Sequence, residues 1–360
     1  MTDYDEIKKS RGLIDKIDVQ IHDLLNERVR IAQGIARLKS NDDSDDFYRP
    51  EREAQILRKV MERNQGPLPD HVVAALFREI MSAALAAEAP IRIGFLGPEG
   101  TYSQAAALKH FGKSMENVTL MTLDDVFRAV EKGEANYGVV PVENSIEGVV
   151  THTLDKFLDS PLQISGEVHL RIRHQLLSNV SELEEVQTVY AHNQSLAQCR
   201  GWLGTRLPGA KPEAVSSNAE AARLAAQTPK SAAIASLYAG ELYALNVLAA
   251  DIEDNPRNTT RFLIIGKYST PASGLDKTSL IVASKNKPGA LYRLLAPFAE
   301  HSISMTRIES RPSRQALWEY VFFIDIEGHR SDSKIASALA QLDGEAAFLK
   351  ILGAYPKSVL

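Results

Sequence analysis
At 360 residues, with 44% hydrophobic side chains and a formal charge of −5, the chain is too long for one ordinary domain and suits two or three. Charges of both signs are interspersed, which removes any electrostatic reason to expect nucleic acid or an anionic membrane as partner. A single cysteine, Cys199, excludes an intrachain disulfide framework, fits a reducing compartment and is expected to pack rather than react. The polar amino terminus does not read as a secretory signal, and no apolar run approaches the roughly 20 residues of a membrane span. The histidines do not cluster at metal-ligand spacing, so the expectation is a cytoplasmic protein with no membrane segment, no metal and no cofactor.

Residues 6–40 carry one long amphipathic pattern. Leu13, Ile17, Ile21, Leu24, Ile31, Ile35 and Leu38 recur at three- and four-residue steps, the period of a helix. The acidic stretch 40–46 breaks it, and Pro50 opens a second helix to about Asn64. After Gly66-Pro-Leu-Pro69, a third helix is predicted from about Asp70 to Glu88, with Val73, Phe77, Ile80 and Ala84 on one side. Strand and helix signals then alternate from Ile91 to about Lys267, which predicts an α/β unit with a largely parallel sheet. The clearest strands are 91–96, 137–141, 186–190 and 232–235. Residues 269–274 read as a linker. Beyond it, strand 278–284, helix 288–300, strands 303–310 and 317–326, helix 332–342 and strand 348–354 make the split βαββαβ order of a ferredoxin-like unit.

Arg28 falls on the apolar stripe of the first helix. A guanidinium there must be paired or must await an anion, because burying a lone charge is costly. Lys39, eleven residues on, returns to within roughly 20° of the same face, and the two can clamp one small anion. Arg11 lies about 25 Å from Arg28 along the axis and can reach such a ligand only from an antiparallel partner. The helix, roughly 50 Å long, is also too long for two short helices to cover. With Arg52-Glu53 at the start of the second helix, these residues make the first 90 resemble the all-helical chorismate mutases, which are domain-swapped dimers. The resemblance implies that the cations hold the two carboxylates of chorismate. It also implies that Lys39 contacts the ether oxygen and Glu53 accepts a hydrogen bond from the ring hydroxyl. Three positions depart from the family pattern. Arg49 replaces an aspartate and offers only its backbone, Ala84 replaces a hydroxyl, and Glu88 replaces a glutamine facing the ether oxygen. An ionised carboxylate cannot donate a hydrogen bond, so Glu88 is expected to act in its protonated form.

Between the strand at 91–96 and the next helix, Gly97-Pro-Glu-Gly-Thr-Tyr-Ser103 turns backbone N–H groups and the hydroxyls of Thr101 and Ser103 toward an anion. It has neither the Walker ending nor the Gly-x-Gly-x-x-Gly of a dinucleotide fold, which argues against a nicotinamide enzyme. Glu143-Asn144-Ser145 forms a second polar tip, and Asn258-Thr-Thr-Arg-Phe262 a third. Together with Ala191-His192 and Gln198-Cys199, they make residues 91–268 resemble the prephenate dehydratases, two-lobed like the type II periplasmic binding proteins. The resemblance implies that Thr260 is the essential hydroxyl. Thr101, Ser103, Asn144, Ser145, Arg261 and Phe262 would contact prephenate, with Arg261 on a carboxylate.

Asn286-Lys-Pro-Gly-Ala-Leu291 and Glu309-Ser-Arg-Pro312 resemble the ACT regulatory domain of that family. Phenylalanine is the implied inhibitor. Gly289, Ala290 and Leu291 would help form its pocket at a subunit interface. Glu309, Ser310, Arg311 and Pro312 would couple it to the dehydratase.

The expected architecture is thus a three-helix all-α mutase at 1–90, an α/β two-lobed dehydratase at 91–268 and an α+β ferredoxin-like ACT unit at 275–360. The implied molecule is a homodimer joined through its helical unit and its ACT unit, with chorismate, prephenate and phenylalanine as its small-molecule partners. The rival readings are a non-catalytic amino-acid sensor and a dehydratase with an inactive mutase.

Overall fold
The three- and four-residue apolar rhythm of the amino-terminal segment becomes one unbroken helix, α1 (Asp3–Lys39), in the computed structural model. The structure describes residues 3–39, 48–284, 287–312 and 320–360, with backbone alone for 36–39. The acidic break at 40–46, Asn286 and the Lys39 side chain therefore lie outside the described residues, as do positions 317–319 of one predicted strand. Helices α2 (Pro50–Arg63) and α3 (Asp70–Ala86) follow as expected, Pro50 being the first helical residue of α2. These two pack on each other through Ala54, Leu57, Val60 and Ala74.

The α/β unit runs β1 (Arg92–Leu96), α4 (Tyr102–Phe111), β2 (Glu116–Leu120), α5 (Leu123–Lys132), β3 (Tyr137–Asn144), β4 (Gly148–Val149), α6 (Thr151–Asp159), β5 (Gln163–Arg171) and β6 (Gln175–Ser178). It continues through β7 (Thr188–His192), α7 (Asn193–Gln198), α8 (Arg200–Arg206), β8 (Lys211–Val215), α9 (Asn218–Gln227), β9 (Ser231–Ala235), α10 (Leu237–Leu242), β10 (Asn246–Ala249) and β11 (Thr259–Gly266). The expectation of a largely parallel sheet is corrected here. There are two mixed sheets, ordered β2-β1-β3-β11-β5 and β10-β6-β9-β7-β8. β1, β2 and β3 are parallel, but β11 enters antiparallel between β3 and β5. The reason is topological. The chain crosses from the first lobe to the second after β5 and must return before β11, so the returning strand runs the other way. The two crossings lie side by side, tied by Ile172 N to Asn258 O at 2.8 Å and Ile252 N to His174 O at 2.9 Å.

The last unit is β12 (Asp276–Ala283), α11 (Ala290–Glu300), β13 (Met305–Pro312), β14 (Tyr320–Glu327), α12 (Ser333–Glu345) and β15 (Phe348–Pro356), the predicted order. Its antiparallel sheet, β13-β14-β12-β15, lies against β5 of the first lobe. Gly353 makes this approach possible. A Cβ at that position would overlap the backbone of Ile164, so only glycine lets the two strands meet. The core beneath this contact mixes both units: Val140, Phe157 and Leu263 pack with Ile281, Phe323 and Leu352. The linker at 269–274 is pinned. Ser273 bonds Asp276, His329 Nε2 meets Thr270 O at 3.0 Å, and Arg58 of α2 donates to Leu275 O at 2.8 Å.

Candidate active sites
A cleft of about 270 Å³ opens between the two lobes, beside the crossings. Its floor is a directed hydrogen-bond chain. Asn144, at the end of β3, faces Thr260 on β11. The Asn144 carbonyl accepts from the backbone N–H groups of Ile146 and Glu147 at 2.9 and 3.0 Å, which fixes which way its amide points. Its NH₂ group then donates to Thr260 Oγ1 at 2.8 Å and to Asn258 Oδ1 at 2.9 Å. Because Thr260 Oγ1 accepts from Asn144, its own proton is left to donate elsewhere.

The chain continues on the far side. Asn258 Nδ2 donates to Gln198 Oε1 at 3.0 Å, and His174 Nε2 meets the same oxygen at 2.9 Å, so that nitrogen carries the proton. His174 Nδ1 meets Tyr102 Oη at 2.9 Å. Burial lowers the His174 pKa against opposing pulls from Gln198 and Glu253, which favours the neutral ring. One network therefore links residues of α4, β3, both crossings, α7 and β11.

Thr101 and Ser103 line the cleft. Thr101 caps α4 and donates to Leu96 O at 3.1 Å. Ser145 instead closes the start of β11, accepting from Thr259 N at 3.0 Å. Two expectations are corrected. Arg261 is turned away from the cleft and buried, its guanidinium held by Glu167 Oε2 at 2.9 Å, Asp325 Oδ2 at 2.5 Å and Tyr355 Oη at 3.0 Å. With its charge spent on two carboxylates, it has no reach toward a substrate. Phe262 belongs to the core with Phe95 and Val168. Alternation along β11 puts Arg261 on the face opposite Thr260 and returns Phe262 to the Thr260 face, where it packs with Ile264 and Phe95. Cys199 is a buried free thiol, pushed above its ordinary pKa by burial and by Asp254 and Glu253.

The residues carried over for chorismate are spread over α1, α2, α3 and the segments beside them, and the Lys39 side chain lies outside the described residues. Arg11 is exposed and Arg28 half-buried, 17 positions apart on one helix. Arg52 is exposed on α2, Ala84 is buried in α3, and Glu88 follows α3 in a half-buried turn. Near there α1 touches α3, Gln33 Nε2 meeting Ala87 O at 3.4 Å. Arg49 supplies its backbone oxygen to Glu53 N at 3.0 Å. Glu53 faces the α/β unit rather than α1. Its carboxylate lies 2.7 Å from Arg78 Nε, and Arg78 also donates to the carbonyls of Lys109 and His110. Burial raises the Glu53 pKa against the opposing pull of Arg78 and Tyr48. Meanwhile Leu13, Ile17, Leu24 and Ile31 on α1 are all more than half exposed.

In the last unit, Gly289 sits in the left-handed region at φ +74° and starts α11, with Gly289 and Leu291 exposed and Ala290 half-buried. Glu309, Ser310, Arg311 and Pro312 lie on the edge strand β13, where Arg311 reaches Asp155 of α6 at 3.4 Å. Among the described residues, no group of three His, Cys, Asp or Glu could hold a metal ion, and no helix is long and apolar enough to cross a membrane.

Models of three families match the chain: chorismate mutase type II over residues 10–89, prephenate dehydratase over 93–270 and the ACT domain over 278–344. A bifunctional chorismate mutase/prephenate dehydratase of Stutzerimonas stutzeri is 52% identical over 365 residues, with 100% of both chains covered. A solved prephenate dehydratase of Arthrobacter aurescens, in complex with L-Phe, is similar with a TM-score of 0.68 at 35% identity, covering 74% of this chain and 90% of its own. A structure described as GqqA, a quorum-quenching acylase, is similar with a TM-score of 0.69 at 31% identity, covering 74% and 98%.

Proposed function
This chain belongs to the family of bifunctional chorismate mutase/prephenate dehydratases, and on that premise we propose how its residues carry the two reactions. It rearranges chorismate to prephenate, then dehydrates and decarboxylates prephenate to phenylpyruvate, in phenylalanine biosynthesis with feedback by phenylalanine.

The second reaction turns on Thr260. The driving force lies in the substrate, because loss of CO₂ and the ring hydroxyl makes the ring aromatic. As the ring carboxylate's C–C bond breaks, its electrons move through the ring and expel the hydroxyl. The protein has only to orient the carboxylate and give the departing oxygen a hydrogen bond. Thr260 is the donor, and the observation that supports this is the Asn144 NH₂ bond to Thr260 Oγ1 at 2.8 Å. That bond occupies an acceptor site of the hydroxyl and leaves its proton free to be donated to the substrate. The Ser103 hydroxyl and backbone N–H groups at the start of α4 receive the carboxylate side of the substrate, with Thr101 holding that turn in place through its bond to Leu96 O. Replacing Thr260 by Ala and following phenylpyruvate from prephenate tests this, and turnover near the wild-type rate would refute the assignment.

The first reaction is pericyclic and needs no base or nucleophile. Cations must fold chorismate and stabilise the charge growing on its ether oxygen. Arg28, Lys39, Arg52 and Glu88 of one chain, with Arg11 of a second, supply this, and the working molecule is a homodimer through α1. The exposed apolar stripe of this 37-residue helix supports that reading. Sedimentation of the full chain tests it, and a monomer active as a mutase would end it. The exposed start of α11 supports a phenylalanine pocket completed by a second copy. The lone buried thiol supports a cytoplasmic location.

A further inference from the structure
Thr260 and Asn144 are register partners across β11 and β3, and so are their sequence neighbours Arg261 and Glu143. The first pair faces the cleft. The second pair is gripped from behind by the ACT sheet. Arg307 of β13 lies 3.3 Å from the Glu143 carboxylate, Asp325 of β14 lies 2.5 Å from Arg261, and Tyr355 of β15 bonds the same guanidinium at 3.0 Å. Ser279 of β12 ties the grip together, meeting Asp325 Oδ1 at 2.6 Å and Tyr355 Oη at 2.7 Å. All four strands of that sheet thus bear on the reverse of the two residues that make the catalytic hydrogen bond.

We propose that Arg261 and Glu143 are positioning residues through which the ACT sheet sets the Asn144–Thr260 hydrogen bond, and that phenylalanine slows dehydration by shifting this grip. The proposal rests on the reading of phenylalanine as the inhibitor. The physical basis is the rigidity of the link. A planar guanidinium held by carboxylates from both units, Glu167 and Asp325, cannot re-solvate when one side moves. A small displacement of β14 is therefore passed to β11 rather than absorbed. Phenylalanine acts by binding the two arrangements unequally.

The test uses the full-length enzyme with prephenate, with and without phenylalanine, and calorimetry for phenylalanine binding. Arg261→Lys keeps the charge and loses the fork. It should lower kcat for prephenate at least about tenfold with KM unchanged, as expected for a residue that orients a donor without touching substrate. Tyr355→Phe removes one hydroxyl and keeps the packing. It should lower kcat for prephenate less than Arg261→Lys does, still release heat with phenylalanine, and be inhibited at least about fivefold more weakly. Glu143→Gln, at the more exposed pair, should weaken inhibition in the same direction. Wild-type kcat in Arg261→Lys, or wild-type inhibition in both Tyr355→Phe and Glu143→Gln, would overturn the proposal. If the wild-type enzyme neither binds phenylalanine nor is inhibited, the reading of the inhibitor fails instead, and the Arg261→Lys arm alone decides whether the positioning holds.

Discussion

The dehydratase cleft and the mutase helix both have to hold a small dianion, and they do so with opposite economies of chain. In the cleft, residues from α4, β3, α7, β11 and both lobe crossings meet within one protomer, and each polar group points at a partner that fixes its direction. Along α1, by contrast, Arg11 and Arg28 stand about 25 Å apart, and the apolar residues between them are exposed. A site assembled from strand ends is completed by the tertiary fold. On the reading proposed here, a site assembled from one straight helix would be completed by another molecule.

The sharpest way to break this comparison is Thr260→Ala. Loss of a preorganised donor should lower phenylpyruvate formation by about 10²–10³-fold while chorismate consumption is unchanged. A fall in both would mean that the sites are not separate. On the other side, Arg11→Ala and Arg28→Ala should each lower mutase activity by about a hundredfold. Mixing the two inactive variants under subunit exchange should then recover about a quarter of wild-type activity, since half the dimers hold one intact site of two. No recovery would place both arginines in the same site half and refute sharing.

The contact behind the cleft can be tested through stability. Burial opposes ionisation of Glu167, but His169, Arg261 and Lys277 outweigh it and hold the carboxyl well below its usual range. A depressed carboxyl adds stability that is complete above its unfolded pKa and is lost as pH falls through the folded one. The contribution should therefore be full at neutral pH and fade from the ordinary value of 4.5 downward. Glu167→Gln should cost about 3–5 kcal/mol at pH 7 and flatten that acid limb in thermal or urea unfolding. Gly353→Ala, which forces β15 from β5, should cost about 1–3 kcal/mol by the same assay. The smallest effect concerns the turn after α3, where Glu88→Gln, a near-isosteric change, should alter chorismate turnover less than either arginine variant does.

Much of this was legible in the sequence, for identifiable reasons. The long α1 followed from an uninterrupted helical period, and the order of the last unit from alternating strand and helix signals. That Thr260, Asn144, Thr101 and Ser103 line the cleft was legible because loop tips concentrate hydroxyls and amides. Arg261 was misplaced because adjacent strand residues face opposite ways, and one sequence does not tell which face meets the cleft. The partner that claims it, Asp325, lies 64 residues away in another unit. His174 gave no signal, since a lone histidine between two strands reads as ordinary core until Tyr102 and Gln198 are seen on either side. The antiparallel entry of β11 was equally hidden, because it follows from where the chain crosses between lobes and not from any residue in the strand.

The bare stripe on α1 has a kinetic corollary. If association completes the first site, dilution should silence chorismate turnover while prephenate turnover per chain holds steady. The two activities of one polypeptide would then scale differently with its abundance, and a cell making very little of it would still process prephenate supplied from elsewhere.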